Sequence, residues 1–306
     1  MKQEHDMHSS PAQNANKTKP VKKGRFRGWY FKHQLPGGSV AFIPGYQIAA
    51  DGTRSAFLQI ITIDRSEYIA FPYEAFSWQK SPLRISLGNN VFSADGIDLD
   101  VQTPSIKIEA TLRYGVLTPL KKNIMGFYRF LPFMECRHGV ISMYHAVSGK
   151  VTIDGMPIFL HDTCGYIETD WGRSFPKSYL WTHCGTDSCG TKSVMLSVAR
   201  IPYLGREFWG VIASVIDNKK EYRIATYRGA KIKTIREGYA EIIQHKYRLV
   251  FEAENEDGQE LLAPQDGKMD RLIRENISTL GHYRLFYENK FLFGMDCERA
   301  SYEFVE

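Results

Sequence analysis

From Phe26 onward the apolar residues gather in short runs of strand length, among them Val40–Ile48, Phe57–Ile63, Ile106–Leu112, Val140–Ile153, Tyr179–Cys184, Ser193–Ile201, Phe208–Ile216, Tyr247–Ala253 and Tyr283–Phe286. Turn signals separate them. Pro36-Gly37-Gly38, Asp51-Gly52, Asp95-Gly96, Asp154-Gly155, Asp217-Asn218 and Asp257-Gly258 each supply the positive or preset φ that a hairpin requires. Helical periodicity is scarce, and the stretch Ala225–Tyr239 is broken by Gly229 and Gly238. Regular strands punctuated by turns predict an all-β antiparallel sandwich or barrel, and no glycine fingerprint opens a helix to suggest a nucleotide fold.

One run departs from plain alternation. Gly165-Tyr166-Ile167-Glu168-Thr169-Asp170-Trp171-Gly172-Arg173-Ser174-Phe175-Pro176-Lys177 packs two carboxylates, a guanidinium, an ammonium and several aromatics together. Read as a strand, it turns Tyr166, Glu168 and Asp170 to one face and Ile167, Thr169 and Trp171 to the other. Two neighbouring acids beside an aromatic, facing a cavity, would raise a carboxyl pKa. The plainer alternative is a charged edge strand whose acids pair with Arg173 and Lys177.

Two more segments share this mixture: Gly24-Arg25-Phe26-Arg27-Gly28-Trp29-Tyr30-Phe31-Lys32, and Phe133-Met134-Glu135-Cys136-Arg137-His138-Gly139-Val140. Gly28 to Lys32, Glu135 with His138-Gly139, and the run from Gly165 to Lys177 together resemble the signature segments of the tocopherol cyclase family. The resemblance extends over nearly the whole chain from Gly24. More distantly, the Tyr-x-acid arrangement resembles carotenoid 1,2-hydratase and its lipocalin-like relatives, with Glu168 here in place of an aspartate.

The resemblance implies two packed lipocalin-like (calycin-type) β-barrel or sandwich domains and a non-redox ring closure. An acid protonates an alkene of a prenyl tail, and a phenol oxygen traps the tertiary cation. Such an acid must be protonated when substrate binds, aromatic faces must steady the cation, and water must be kept away. Glu168 is the expected donor, with Asp170 as its rival or dyad partner and Tyr166 as an orienting group. His138 is a candidate base for the phenol proton, against the ordinary alternative of a structural histidine. Trp29, Tyr30, Trp171 and Trp181 are expected to line the cavity, and Glu135, Arg173 and Lys177 either to bind a polar headgroup or to pair with one another. The expected ligand is a hydrophobic small molecule, a prenylphenol, quinol or terpenoid. A non-catalytic carrier of such a ligand and an alkene hydratase are the competing readings.

Composition narrows the field further. With 306 residues, 43% of them hydrophobic and 13% aromatic, the chain can bury a large core. Residues 1–23 are polar and basic, with no apolar run for a signal peptide, so they read as a disordered tail before β domains over 24–160 and 161–306. No stretch is apolar for long enough to span a bilayer, which predicts a soluble protein, with the basic amino-terminal arm a candidate for peripheral membrane contact. A net charge of +5 without a legible module argues against nucleic-acid binding. Five cysteines, an odd number, suit a reducing, cytoplasmic compartment. His161, Cys164, His183, Cys184 and Cys189 follow no zinc spacing, so neither a metal nor a cofactor is expected.

Overall fold

A computed structural model describes residues 23–186, 191–254 and 257–306. The first sheet contains β1 (Arg25–Leu35), β2 (Gly38–Ile48), β3 (Arg54–Ile61), β4 (Ser66–Phe71), β5 (Phe76–Lys80), β6 (Leu83–Leu87), β7 (Asn90–Ser93), β8 (Gly96–Gln102), β9 (Lys107–Tyr114), β10 (Cys136–Ile153) and β11 (Met156–Gly172). The second contains β12 (Tyr179–Gly185), β13 (Lys192–Tyr203), β14 (Arg206–Asp217), β15 (Lys220–Ala225), β16 (Ala230–Arg236), β17 (Tyr239–Gln244), β18 (Tyr247–Ala253), β19 (Gln259–Gln265), β20 (Lys268–Tyr287) and β21 (Lys290–Val305).

All pairings are antiparallel, and the strand orders are β4-β3-β2-β1-β11-β10-β9-β8-β7-β6-β5 and β15-β14-β13-β12-β21-β20-β18-β17-β16, with β19 on β20. The edge strands of each sheet are not hydrogen-bonded to each other, so both are open sheets and not the closed barrels that were one of the expected forms. The sandwich alternative holds. The sheets change over at residues 173–178, so the boundary expected near 160 falls inside β11.

Each sheet curls around its own apolar cluster, one containing Trp29, Phe31, Phe42 and Phe92, the other Leu196, Phe251, Tyr283 and Phe293. A third cluster, with Tyr30, Met143, Tyr166, Trp181 and Ile277, joins the two. The β19–β20 hairpin reaches back over the first sheet, where Gln59 donates to the Leu262 carbonyl at 2.9 Å and accepts from its N–H at 2.8 Å. Burying these apolar side chains at about 25 cal/mol per Å² drives the docking of sheet on sheet.

The expected tail lies outside the described residues, apart from Lys23. Cys189 is also outside them. Among the described residues His161, Cys164, His183 and Cys184 form no metal-ligand group, and Cys184 is disulfide-paired with Cys297, which the odd cysteine count did not anticipate. No helix is long and apolar enough to cross a membrane.

Candidate active site

Strand register builds the site. On β11, Asp170 lies between Gly28 of β1 and His138 of β10, and Glu168 lies between Tyr30 and Val140. Directly opposed residues of an antiparallel pair share a face. The alternation read in the sequence therefore places His138, Asp170, Glu168 and Tyr30 together on one wall of a cavity of about 150 Å³ between the sheets. Gly28 keeps that wall open, since it adds no side chain beside His138 and Asp170.

His138 is the hub. Its Nδ1 is 3.0 Å from Asp170 Oδ1, and its Nε2 is 3.3 Å from Glu168 Oε2, a charge contact and not an aligned hydrogen bond. Tyr166 donates its hydroxyl to Glu168 and stacks on His183 with ring centroids 3.5 Å apart. Burial pushes the Glu168 carboxyl up to about 8 against the opposing pull of His138, and the Asp170 charge adds to the rise. Burial alone would lower His138, but Glu168 and Asp170 outweigh it and hold the imidazole up to about 9. The two groups titrate together, since the imidazolium lowers Glu168 while the Glu168 anion raises His138, and burial favours a proton held on Glu168. The ligand atoms of His138, Glu168 and Asp170 all lie within 4.8 Å of one another, the one such group among the described residues that could hold a metal ion. The same proximity satisfies these groups mutually, since an imidazolium between two carboxyl groups already neutralises the negative charge a metal would be bound by.

The opposite wall carries a second acidic row that the sequence reading missed. Glu275 of β20 is the register partner of Glu303 on β21, which in turn opposes Trp181 on β12. Tyr30 donates to Glu275 and lies 3.0 Å from the Ser301 hydroxyl, while Tyr179 donates to Glu303 at 2.6 Å. Burial raises both acids, Glu275 to about 7 and Glu303 well above the usual range. Glu275 Oε2 and Trp181 Nε1 are buried without hydrogen-bond partners, and both residues line the cavity. The available signal was phase: Glu275 sits at period two between Ile273 and Ile277, an acid at a core position.

The remaining expected residues divide. Tyr30 and Trp181 line the cavity, their rings 5.5 Å apart edge to face. Trp29 and Trp171 do not, because alternation turns them to the reverse face of the sheet. There they flank Arg27, whose guanidinium is 4.9 Å from each of their ring centroids and 4.3 Å from that of Trp78. The cation boxed by these tryptophans is the protein's own. Glu135 pairs with Arg173, which also reaches Asp266 at 3.1 Å, and Lys177 is exposed, so these three stand outside the cavity. Of the two readings, pairing with one another fits Glu135 and Arg173.

A family model described as tocopherol cyclase-like matches residues 100–277, more than half of the chain and including Glu168, Asp170, His138, Trp181 and Glu275. The chain belongs to the tocopherol cyclase-like family. No curated protein sequence matches it. Solved structures share the fold of this tocopherol cyclase-like protein at low identity. An AttH protein from Nitrosomonas europaea is 11% identical with a TM-score of 0.52, over 94% of both chains. Kievitone hydratase from Nectria haematococca is 11% identical with a TM-score of 0.52, over 93% of this chain and 89% of its own. CghA bound to Sch210972 is 8% identical with a TM-score of 0.58, over 93% of this chain and 88% of its own.

The buried titratable groups of this family member make its stability depend on pH in two directions. Burial drives His33 and His145 down to about 3 and lowers His183 as well, so their contribution is complete above pH 6.5 and is lost as pH falls through the folded values. Glu168 and His138 are raised, so their contribution is complete below the unfolded values of 4.5 and 6.5 and is lost as pH rises through about 8 and 9. Glu275 and Glu303 act in the same sense as Glu168, and Lys32, lowered to about 7 by burial, acts in the opposite sense at alkaline pH, so the thermal midpoint is expected to be highest between 4.5 and 6.5 and to fall on either side. Glu168→Gln should flatten the alkaline side, and calorimetry from below pH 4.5 to pH 9 checks both.

Proposed function

We propose that this protein is an acid-initiated, redox-neutral cyclase of a prenylated phenol, quinol or related terpenoid. The observation that carries the reading is the Glu168 carboxyl, raised by burial, on the wall of a largely apolar, aromatic cavity that Glu275, a second raised carboxyl, also lines. Glu168 gives its proton to the substrate alkene, and the tertiary cation forms between the rings of Tyr30, Trp181 and Tyr179. The phenol oxygen then bonds to that carbon. Its proton passes to Glu275, and return of the proton to Glu168 closes the cycle with no net loss of atoms.

This assigns the base to Glu275 and not to His138. His138 is flanked by Asp170 at Nδ1 and by Glu168 at Nε2, whereas Glu275 keeps one carboxylate oxygen without a partner. Tyr166, Asp170 and His138 position Glu168 and set its acidity. Trp181 Nε1 supplies the donor for the substrate oxygen.

Water at the same place between Glu275 and Trp181 would give hydration instead. Both reactions need the same donor, and product mass separates them. Incubation in D2O of the purified protein with its co-purifying lipid is the test. A product of unchanged composition carrying one new carbon-bound deuterium supports cyclisation. Addition of one water makes it a hydratase, and unchanged lipid makes it a carrier.

Turnover should follow a narrow bell, rising as Glu275 ionises through about 7 and falling as Glu168 deprotonates through about 8. Glu275→Gln is expected to lower kcat about 10²-fold and to abolish the acidic limb. A bell with the acidic limb intact in that variant would return the base role to another group.

A further inference from the structure

The segment between β9 and β10, residues 115–135, has two faces with opposite partners. Ile124, Met125 and Met134 are buried in the cluster between the sheets, and Met125, Tyr128 and Met134 form part of the cavity wall. On the outside, Phe127, Phe130 and Phe133 are 53%, 72% and 70% exposed, an unusual concentration of bare rings on a single loop. Lys121, Lys122 and Arg129 are exposed among them. Arg129 lies 4.3 Å from the centroid of the Phe130 ring, and Lys23 Nζ 5.9 Å from that of Phe133. No acid occurs in the sequence between Glu109 and Glu135.

These rings are held outward. Arg223 donates to the carbonyls of Lys122 and Asn123, each at 3.0 Å, and the Tyr227 hydroxyl to that of Ile124 at 2.8 Å. Phe133 itself adopts φ of +62°, a costly conformation for a bulky side chain that presents its ring to solvent.

We propose that this segment is a docking surface for an anionic lipid bilayer. Phe127, Phe130 and Phe133 enter the boundary between headgroups and acyl chains, and Lys121, Lys122, Arg129 and Lys23 lie on the lipid phosphates. Exposed rings interleaved with cations and free of acids match that boundary on both counts, apolar below and negative above. A second copy of the chain would bring the same cations face to face. The opposite side of the segment is the cavity wall, so docking sets that wall of the cavity against the depth where prenyl chains dissolve. That last step rests on the function proposed above; the lipid contact does not.

The test is co-sedimentation of the full chain with vesicles of phosphatidylcholine alone and of phosphatidylcholine with about one-third phosphatidylserine. Binding to the anionic vesicles, weakened by salt and by omission of phosphatidylserine, is expected. Each cation contributes about fivefold, so Lys121→Glu/Lys122→Glu/Arg129→Glu should lower binding by two orders of magnitude or more. Phe127→Ser/Phe130→Ser/Phe133→Ser should abolish it. Both variants should keep the wild-type thermal midpoint and full turnover of detergent-dispersed substrate. Failure of the wild type to bind anionic vesicles, or binding that survives both sets of substitutions in folded protein, would overturn the proposal. So would a concentration-dependent dimer lost in the phenylalanine variant. Vesicle binding without any turnover leaves the docking surface standing and refutes the cyclase instead.

Discussion

Glu168→Gln is expected to lower turnover by about 10³-fold, near the upper range for removing a general acid, while ligand affinity stays close to that of the wild type. Glutamine has nearly the same shape, and its amide oxygen still accepts from the Tyr166 hydroxyl, so the cavity wall should survive. What disappears is the carboxylic proton that the proposed mechanism gives to the alkene. Asp170→Asn is the informative contrast. Asp170 raises Glu168, so removing its charge should draw the basic limb of the pH profile down by about one unit while leaving measurable activity. Single-turnover kinetics on both variants, with ligand binding followed by Trp181 fluorescence, checks the pair. Equal losses in the two variants would mean that the dyad acts as one unit with no separate donor.

Trp29→Ala should cost about 3 to 5 kcal/mol of stability, the usual range for emptying a buried aromatic site. Trp29 is 1% exposed in the core of the first sheet, and its ring supports Arg27 together with Trp78 and Trp171. Its loss removes packing and leaves a buried guanidinium with one wall of its box missing. Trp181→Phe should behave differently. That residue faces the cavity, and its Nε1 has no protein partner, so the change removes no internal hydrogen bond. Stability should fall by no more than about 2 kcal/mol, because the smaller ring enlarges a cavity already present instead of opening a new one in the core, and the larger loss should appear in substrate affinity. Chemical denaturation of both variants alongside the KM of Trp181→Phe separates a core tryptophan from a cavity one.

The sequence made these two tryptophans look alike because composition shows a ring without its direction. Period two was enough for β11, where Tyr166, Glu168 and Asp170 were correctly placed on one face and Trp171 on the other. It was not applied to Trp171 as a site residue, nor carried across the β1–β11 register to Trp29. Gly165, which opens the charged run in the sequence, lies inside β11, where a Cβ would come within 2.5 Å of His145 Nε2. Strand existence was legible wherever apolar runs were dense. The long β20 was not, apart from Tyr283–Phe286, because Glu275 and Thr279 occupy inward positions between Ile273, Ile277 and Gly281 and disguise the alternation. The same disguise hid the second acidic row: an inward acid looks like a break in pattern until the opposing sheet is known.

The order of strands has a consequence for how the acid comes into being. The first sheet is complete within residues 25–172, so a growing chain can pair β1 with β11 before β12 to β21 exist. At that stage Trp181, Glu275 and the β19–β20 hairpin are still to be made, so Glu168 is less buried and the main cause of its raised carboxyl is weaker. On the function proposed above, the proton donor therefore takes on its raised carboxyl only when the carboxyl-terminal half closes over it.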